Sequence, residues 1–394
     1  MGCQKMNSRE RVLTTLNHRE PDKVPIDFGG NQSSIHIHAY KRLLKRLGIE
    51  DDNIHFADVI QQIAYPTEEL LQQFEIDIRW LRPPKSLIPE NFTPEYEGKF
   101  RGIWDQFGVF WGCLADRDPE DPFFYDPVIH PLKDMKTVQE IKNYSWPEGT
   151  DRTPLKGLKE EAKRLRRTPY AIATPPLGCI YEYTTFLFGF ATVLRHFRRS
   201  PELIIAAMEE LEKYWSDYAT TFLNEIKFGD EFYVDIVAIN GDLAMETGPI
   251  MNPKEIYEPM IKPLEGKFSQ KIHELADVKI NYHCCGSIID FIPHFADIGY
   301  DAVNPVQIGA HDMDPCSLKK RFGSKITFWG GICDSSETLP FGTPSQIREE
   351  VKYNISCLKP GGGCIASNVH NVTAEVPPEN IVAMFNAVKT YRNY

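Results

Sequence analysis

From Thr168 to the C-terminus the chain alternates short apolar segments with amphipathic stretches, and this beat limits the folds open to it. The spacing predicts strands over Tyr170–Thr174, Phe232–Ile239, Asp277–Tyr282, Asp301–Asn304, Lys325–Trp329 and Gly363–Ala366. Between and after them it predicts helices running up to about Glu225, then over Pro253–Ala276, Ile288–Ile298, Pro344–Leu358 and Pro377–Tyr391. Strands of this length separated by helices argue for βα units and a parallel sheet. Repeated this often, they favour a single (β/α)8 barrel over an open doubly wound sheet. No GxGxxG opens a helix after an early strand, which weakens a dinucleotide reading.

The first 80 residues read as helical. Ser8 is placed to cap Arg9–His18, a second amphipathic helix runs from Ile37 to Leu47 and stops at Gly48, and Pro66-Thr67-Glu68-Glu69 opens a third over Tyr65–Phe74. Residues 83–151 then turn rich in Pro, Gly and aromatics. Gly102–Trp104 and Phe107–Trp111 alternate like hairpin strands. No flexible linker brackets this stretch, so it reads as a β-rich insertion within one barrel domain spanning 1–394.

A formal net charge of −11 argues against nucleic acid, whose phosphates require clustered Lys and Arg, and against docking on an anionic membrane. The basic runs Lys163–Arg167 and Arg195–Arg199 read as solvated helix faces. No window approaches the ~18 apolar residues of a membrane span. The opening residues lack the apolar core of a secretory signal, and Met1-Gly2-Cys3 has Met6 where an acylation motif wants Ser or Thr. Nine scattered cysteines without an export signal predict a cytoplasmic protein with reduced thiols.

Polar residues recur just after the predicted strands, and in a barrel these exits share the face where chemistry is built. His283 and Cys285, two residues apart at one exit and followed by Gly286, are a soft-metal pair that suits zinc. The third ligand expected is His370, at the exit of the last strand. Asp242 and Glu246 are candidates for a fourth ligand, a supporting carboxylate or a general acid, though Asp242 also reads as a helix cap. Asn304 is a candidate catalytic group, and Asn240, Gln307 and Asn371 are candidate cofactor contacts; Asn304 and Gln307 read equally as loop closures. Cys284 is expected to face out of the barrel, because adjacent strand residues alternate. Cys333 is an alternative ligand, and Tyr181 and Tyr183 read as core or pocket wall. Gly361–Gly363 precedes a strand rather than a helix, so it is no phosphate cradle.

Several segments, in order and over nearly the whole chain, resemble the uroporphyrinogen decarboxylase superfamily. They are Ser8-Arg-Glu-Arg-Val-Leu-Thr-Thr-Leu-Asn-His18 through Asp22-Lys-Val-Pro25, His283-x-Cys285-Gly286, Asn304-Pro305-Val306-Gln307, Gly330-Gly331-Ile332 and Pro377-Pro378-Glu379-Asn380. The resemblance implies a (β/α)8 barrel with its site at the strand C-termini. Decarboxylases of the family carry arginines just after the first Pro-hydrophobic segment to hold a porphyrinogen's carboxylates. Here that segment, Pro25 to Ser34, has no Arg and an added Asp27.

The chain is therefore more similar to the branch of cobalamin-dependent methyltransferases, which bind zinc through His-x-Cys and a Cys near the last strand. His283 and Cys285 match that pair, and His370 stands at the third place. One thiolate and two neutral imidazoles leave Zn²⁺ formally more positive than a His-Cys-Cys set, suiting it to polarise a leaving oxygen or nitrogen. The resemblance implies methyl transfer between a small O- or N-methylated compound and a cobalamin carried by a separate corrinoid protein. The alternatives are a metal-free decarboxylase and a non-catalytic tetrapyrrole- or corrinoid-binding barrel.

Overall fold

The computed structural model describes residues 5–82, 93–118 and 124–394. The expectations for Met1-Gly2-Cys3 and for parts of the 83–151 insertion lie outside the described residues. Seven parallel strands form one strongly curled sheet: Ile78–Trp80, Ala171–Cys179, Ile236–Asn240, Lys279–His283, Ala302–Asn304, Thr327–Trp329 and Cys364–Ile365, neighbours in that order. The two edges are joined by Pro25–Asp27. Ile26 O accepts from Asp77 N (2.8 Å), Ala366 N donates to Pro25 O (2.8 Å) and Asp27 N donates to Ala366 O (2.9 Å). A TIM-like barrel results, with this short extended segment in the eighth place. Asp27 reinforces the closure: its buried carboxylate accepts from the indoles of Trp80 and Trp329, each at 2.9 Å, and from Ser33 Oγ at 2.6 Å.

The N-terminal mouth is plugged by the helix Ser8–Leu16, whose Val12 and Leu16 pack against inward residues of the staves such as Ile78, Ala173, Ala302 and Trp329. The cap is Asn7 rather than Ser8. Asn7 accepts from Glu10 N and Glu10 answers to Asn7 N, which frees the Ser8 hydroxyl to donate to Asp77 at 2.6 Å. Asp77, Asp235 and Asp301 stand at strand entrances, each accepting the backbone N–H of Ile26, Ile172 or Ile280. Arg11, Arg9, Arg166 and Lys279 pair with them. Charged residues at this end therefore hold the barrel shut, and the opposite face is left for function.

Most predicted elements are present, with bounds moved for local reasons. Pro253–Ala276 is not one α-helix: Pro253–Ile261 is π-helical before the α-helix Lys262–Leu275, and Pro259 inside it removes a backbone donor. The β-rich stretch makes a four-stranded antiparallel sheet, Glu95–Glu97, Phe100–Trp104, Phe110–Leu114 and Asp126–Ile129. Phe107–Val109 belongs to its turn, because Asp105 Oδ1 captures the N–H groups of both Phe107 and Val109. The sheet docks on the helix Tyr181–Phe188 through Phe107 on Tyr183 (4.5 Å between ring centres) and Trp111 on Phe186 (4.8 Å).

Two cysteines depart from the expectation of reduced thiols: Cys316 and Cys357, on packed helices, form a disulfide with Cα atoms 4.6 Å apart. Among the described residues no helix is long and apolar enough to cross a membrane.

Candidate metal centre and active site

Three donors converge where the strands end. His283 closes the strand Lys279–His283, Cys285 follows two residues later, and His370 comes from the loop after Cys364–Ile365; their ligand atoms all lie within 4.8 Å of one another. Cys285 Sγ is 3.4 Å from His283 Nε2, and the two imidazole centres are 5.2 Å apart. His370 reaches the cluster with φ 57°, a left-handed conformation that a non-glycine residue rarely holds and that concentrates at functional sites.

The surroundings select the ligand atoms. His283 Nδ1 meets Asn304 Oδ1 at 2.7 Å, while Asn304 Nδ2 donates to the Trp329 carbonyl at 3.1 Å. The amide thereby presents its oxygen, His283 carries its proton on Nδ1, and the Nε2 lone pair points to the cluster. Burial holds both His283 and His370 down to about 4, His370 also through its neighbour His283, so both are neutral at pH 7. The Cys285 thiol is pushed well up by burial and by nearby Asp242, which accepts from Cys285 N at 2.9 Å. Without a cation these groups stay neutral. A dication would supply the charge that turns the thiol into a thiolate, and two neutral imidazoles and one thiol make a donor set that fits it.

His283, His370, Asp242 and Asn240 line a cavity of about 1380 Å³. Its wall is aromatic, with Phe107, Trp111, Tyr183, Phe186, Trp215 and Tyr218. Six acidic side chains face it (Asp58, Asp105, Glu160, Glu161, Glu182 and Asp242) with two guanidiniums, Arg82 and Arg164. Arg164 is taken up by Glu161 at 2.7 Å. Burial pushes the carboxyls of Asp58 and Asp242 upward.

The remaining candidates divide. Asn240 lines the cavity, and its Oδ1 is buried without a partner. Asn304 acts on His283 rather than at the cavity wall. Gln307 is a loop closure: Oε1 accepts from Gly286 N at 2.8 Å and Nε2 donates to Glu246 at 2.9 Å, so neither Gln307 nor the exposed Glu246 faces the cavity. Asn371 is turned away from its neighbour His370. It accepts from Ser34 N (2.8 Å) and donates to Asn31 O (2.8 Å), tying two loops instead of meeting a cofactor. Cys284 points out of the barrel and accepts from Leu243 N. Cys333 is buried outside the ligand cluster. Tyr181 is core, and Tyr183 lines the cavity while donating to Asp105 at 2.5 Å.

The residue that strand-exit reasoning passes over is Glu182. It lies between two tyrosines in the first turn of the helix Tyr181–Phe188, where an acid ordinarily complements the helix dipole. Here it lines the cavity, and burial together with Asp242 pushes its carboxyl up to about 8. A strand leading straight into an acid-bearing helix was the available signal.

Comparison with known proteins agrees with this architecture. Residues 121–391 match the family model described as uroporphyrinogen decarboxylase (URO-D). A uroporphyrinogen decarboxylase from Legionella pneumophila (strain Lens) is 24% identical over 268 residues, covering 66% of this chain and 69% of its own. Among solved structures, a methyltransferase from Methanosarcina mazei superposes with a TM-score of 0.65 at 15% identity, over 98% of this chain and 99% of that one.

Proposed function

Because this chain belongs to the uroporphyrinogen decarboxylase family, we propose that it is the family's metal-dependent kind of enzyme, a methyltransferase, rather than a decarboxylase. It moves a methyl group between a small O- or N-methylated compound and a cobalamin carried by a separate corrinoid protein. The observation that carries this reading is the convergence of His283, Cys285 and His370, with Asn304 fixing the tautomer of His283.

The ion we assign is zinc, since one thiolate and two imidazoles are its preferred donors. Held by His283, Cys285 and His370, it would supply Lewis acidity to a heteroatom that loses its methyl group. The chain's own groups do the rest. Asn304 holds His283 in one orientation. Asp242, bonded to Cys285 N, sets the turn that aims the thiol and balances the charge of the cluster. The aromatic wall excludes water, so that a strong nucleophile meets the methyl carbon instead of solvent protons.

Two features speak against porphyrinogen decarboxylation. An octa-anionic substrate needs an array of guanidiniums, and this cavity offers Arg82 and Arg164 among six acidic side chains. Asp27, in the segment that lacks arginine, is consumed by Trp80, Trp329 and Ser33.

The test is direct. Protein purified without chelators should hold one zinc per chain, and Cys285→Ala should lose it. With a Co(I) corrinoid protein and a panel of methylated donors, the absorbance change from Co(I) to methyl-Co(III) should follow. Absence of zinc, or no spectral change across the panel with zinc present and the partner competent, sinks the reading.

A further inference from the structure

We propose that Glu182 donates the proton to the leaving heteroatom, and that the methyl donor is accordingly an uncharged methyl ether rather than a methylated ammonium. The inference rests on the methyl-transfer reading and narrows it, since that reading leaves oxygen- and nitrogen-linked donors open.

The geometry begins at the strand Ala171–Cys179. Its last residue, Cys179, places Sγ 3.2 Å from Glu182 Oε2, one helical turn on. Among the described residues the other oxygen, Oε1, has no hydrogen-bond partner, and Glu182 faces the same cavity as His283, His370 and Asp242. The titratable groups acting on Glu182 are Asp242, Cys179 and Asp58. Tyr181, Cys284 and Cys285 feel its charge in turn. None of these is a cation. A carboxyl buried among acids and thiols keeps its proton at neutral pH, which the upward shift to about 8 supports.

A protonated carboxyl on the wall of the cavity that His283 and His370 also line suits one kind of leaving group. When a methyl ether reacts, the Co(I) of the corrinoid partner supplies both electrons of the new Co–CH3 bond and becomes Co(III). The CH3–O bond breaks, its electron pair stays on oxygen, and the Glu182 proton passes to that oxygen, giving an alcohol or phenol and a Glu182 carboxylate. Solvent protons restore the acid when product leaves. A tetraalkylammonium donor departs as a neutral amine and needs no proton, and a cavity built for it would hold an ionised carboxylate. An alkoxide or phenoxide leaving without a proton is a poor departure, and general acid catalysis is worth roughly 10²–10⁴-fold in such cases.

Two measurements test this. Infrared spectroscopy of the metal-free and zinc-loaded protein at pH 7 should show a protonated-carboxyl C=O band that is lost in Glu182→Gln and titrates near pH 8. In the methyl-transfer assay, Glu182→Gln should lose roughly 10²-fold or more with alkyl methyl ethers. The loss should shrink to a few-fold with a nitrophenyl methyl ether, whose leaving group needs no acid, and Glu182→Asp should recover part of it. Tetramethylammonium should be a poorer donor than the ethers for the wild type. A missing band, an equal loss across the ether series, or preference for tetramethylammonium overturns the proposal while leaving methyl transfer standing. A wild type that transfers methyl from no donor overturns both.

Discussion

Asn304 Oδ1 lies 2.7 Å from His283 Nδ1, and this contact decides which ring nitrogen is left for a ligand. The amide cannot flip without cost, because its nitrogen is committed to the Trp329 carbonyl on the neighbouring strand. Three adjacent barrel staves therefore converge on the tautomer of one imidazole. Asn304→Ala should weaken zinc binding about 10–100-fold, the usual range for loss of such an orienting partner. Competition against a chromophoric chelator measures it. Asn304→Asp, which keeps an acceptor for Nδ1–H, should lose less; equal losses would mean that Asn304 supports the loop and not the tautomer.

Gly286 follows the Cys285 ligand with φ 83°, and a Cβ there would stand 2.6 Å from the Met245 carbonyl oxygen. Both the backbone conformation and the close approach demand glycine. Gly286→Ala should lower stability by about 1–3 kcal/mol and reduce zinc content, because relieving the clash moves the Cys285 turn. Thermal unfolding and metal analysis of the same preparation check it, and a variant with unchanged zinc and unchanged Tm would refute the argument.

The barrel was legible because its staves are short apolar runs at regular distances, and the ligand cluster because barrel topology gathers strand exits. What periodicity could not give is rotation about the chain after each exit. His370 and Asn371 are adjacent in sequence, yet one reaches the ligand cluster and the other binds Ser34 N and Asn31 O. Gln307 and Glu246 satisfy each other above Gly286, a pairing across 61 residues that no local pattern records. The eighth place in the barrel, Pro25–Asp27, is too short and too proline-bound to read as a strand; it is recognised only by its bonds to Asp77 and Ala366. Glu182 escaped notice because an acid in a first helical turn already has an ordinary reason to be there.

The role of Asn371 is open to a separate check. If its amide only ties the loops at Ser34 and Asn31, Asn371→Ala should lower stability by about 1–2 kcal/mol through an unsatisfied buried N–H. Zinc content and affinity should remain at the wild-type level. A fall in zinc affinity with no change in Tm would instead give Asn371 a part in the site.

A last prediction concerns pH. Glu265, on the helix Lys262–Leu275, is buried outside the barrel wall and accepts from Tyr257 and Tyr282, each at 2.8 Å. Burial outweighs these two donors and raises its carboxyl from 4.5 to about 7. The sign follows from linkage: between those values the folded state keeps a proton that the unfolded chain has released. The contribution of Glu265 is therefore fully present at and below about pH 4.5 and is lost as pH rises through 7, at up to about 1.4 kcal/mol per pH unit. Glu265→Gln imitates the protonated acid at every pH. Its stability relative to wild type should rise between pH 5 and pH 8, by on the order of 2–3 kcal/mol, because all other titrations cancel in the difference. Denaturant unfolding of both proteins across this range gives the result, and parallel pH profiles would show that Glu265 is ionised in the folded protein after all.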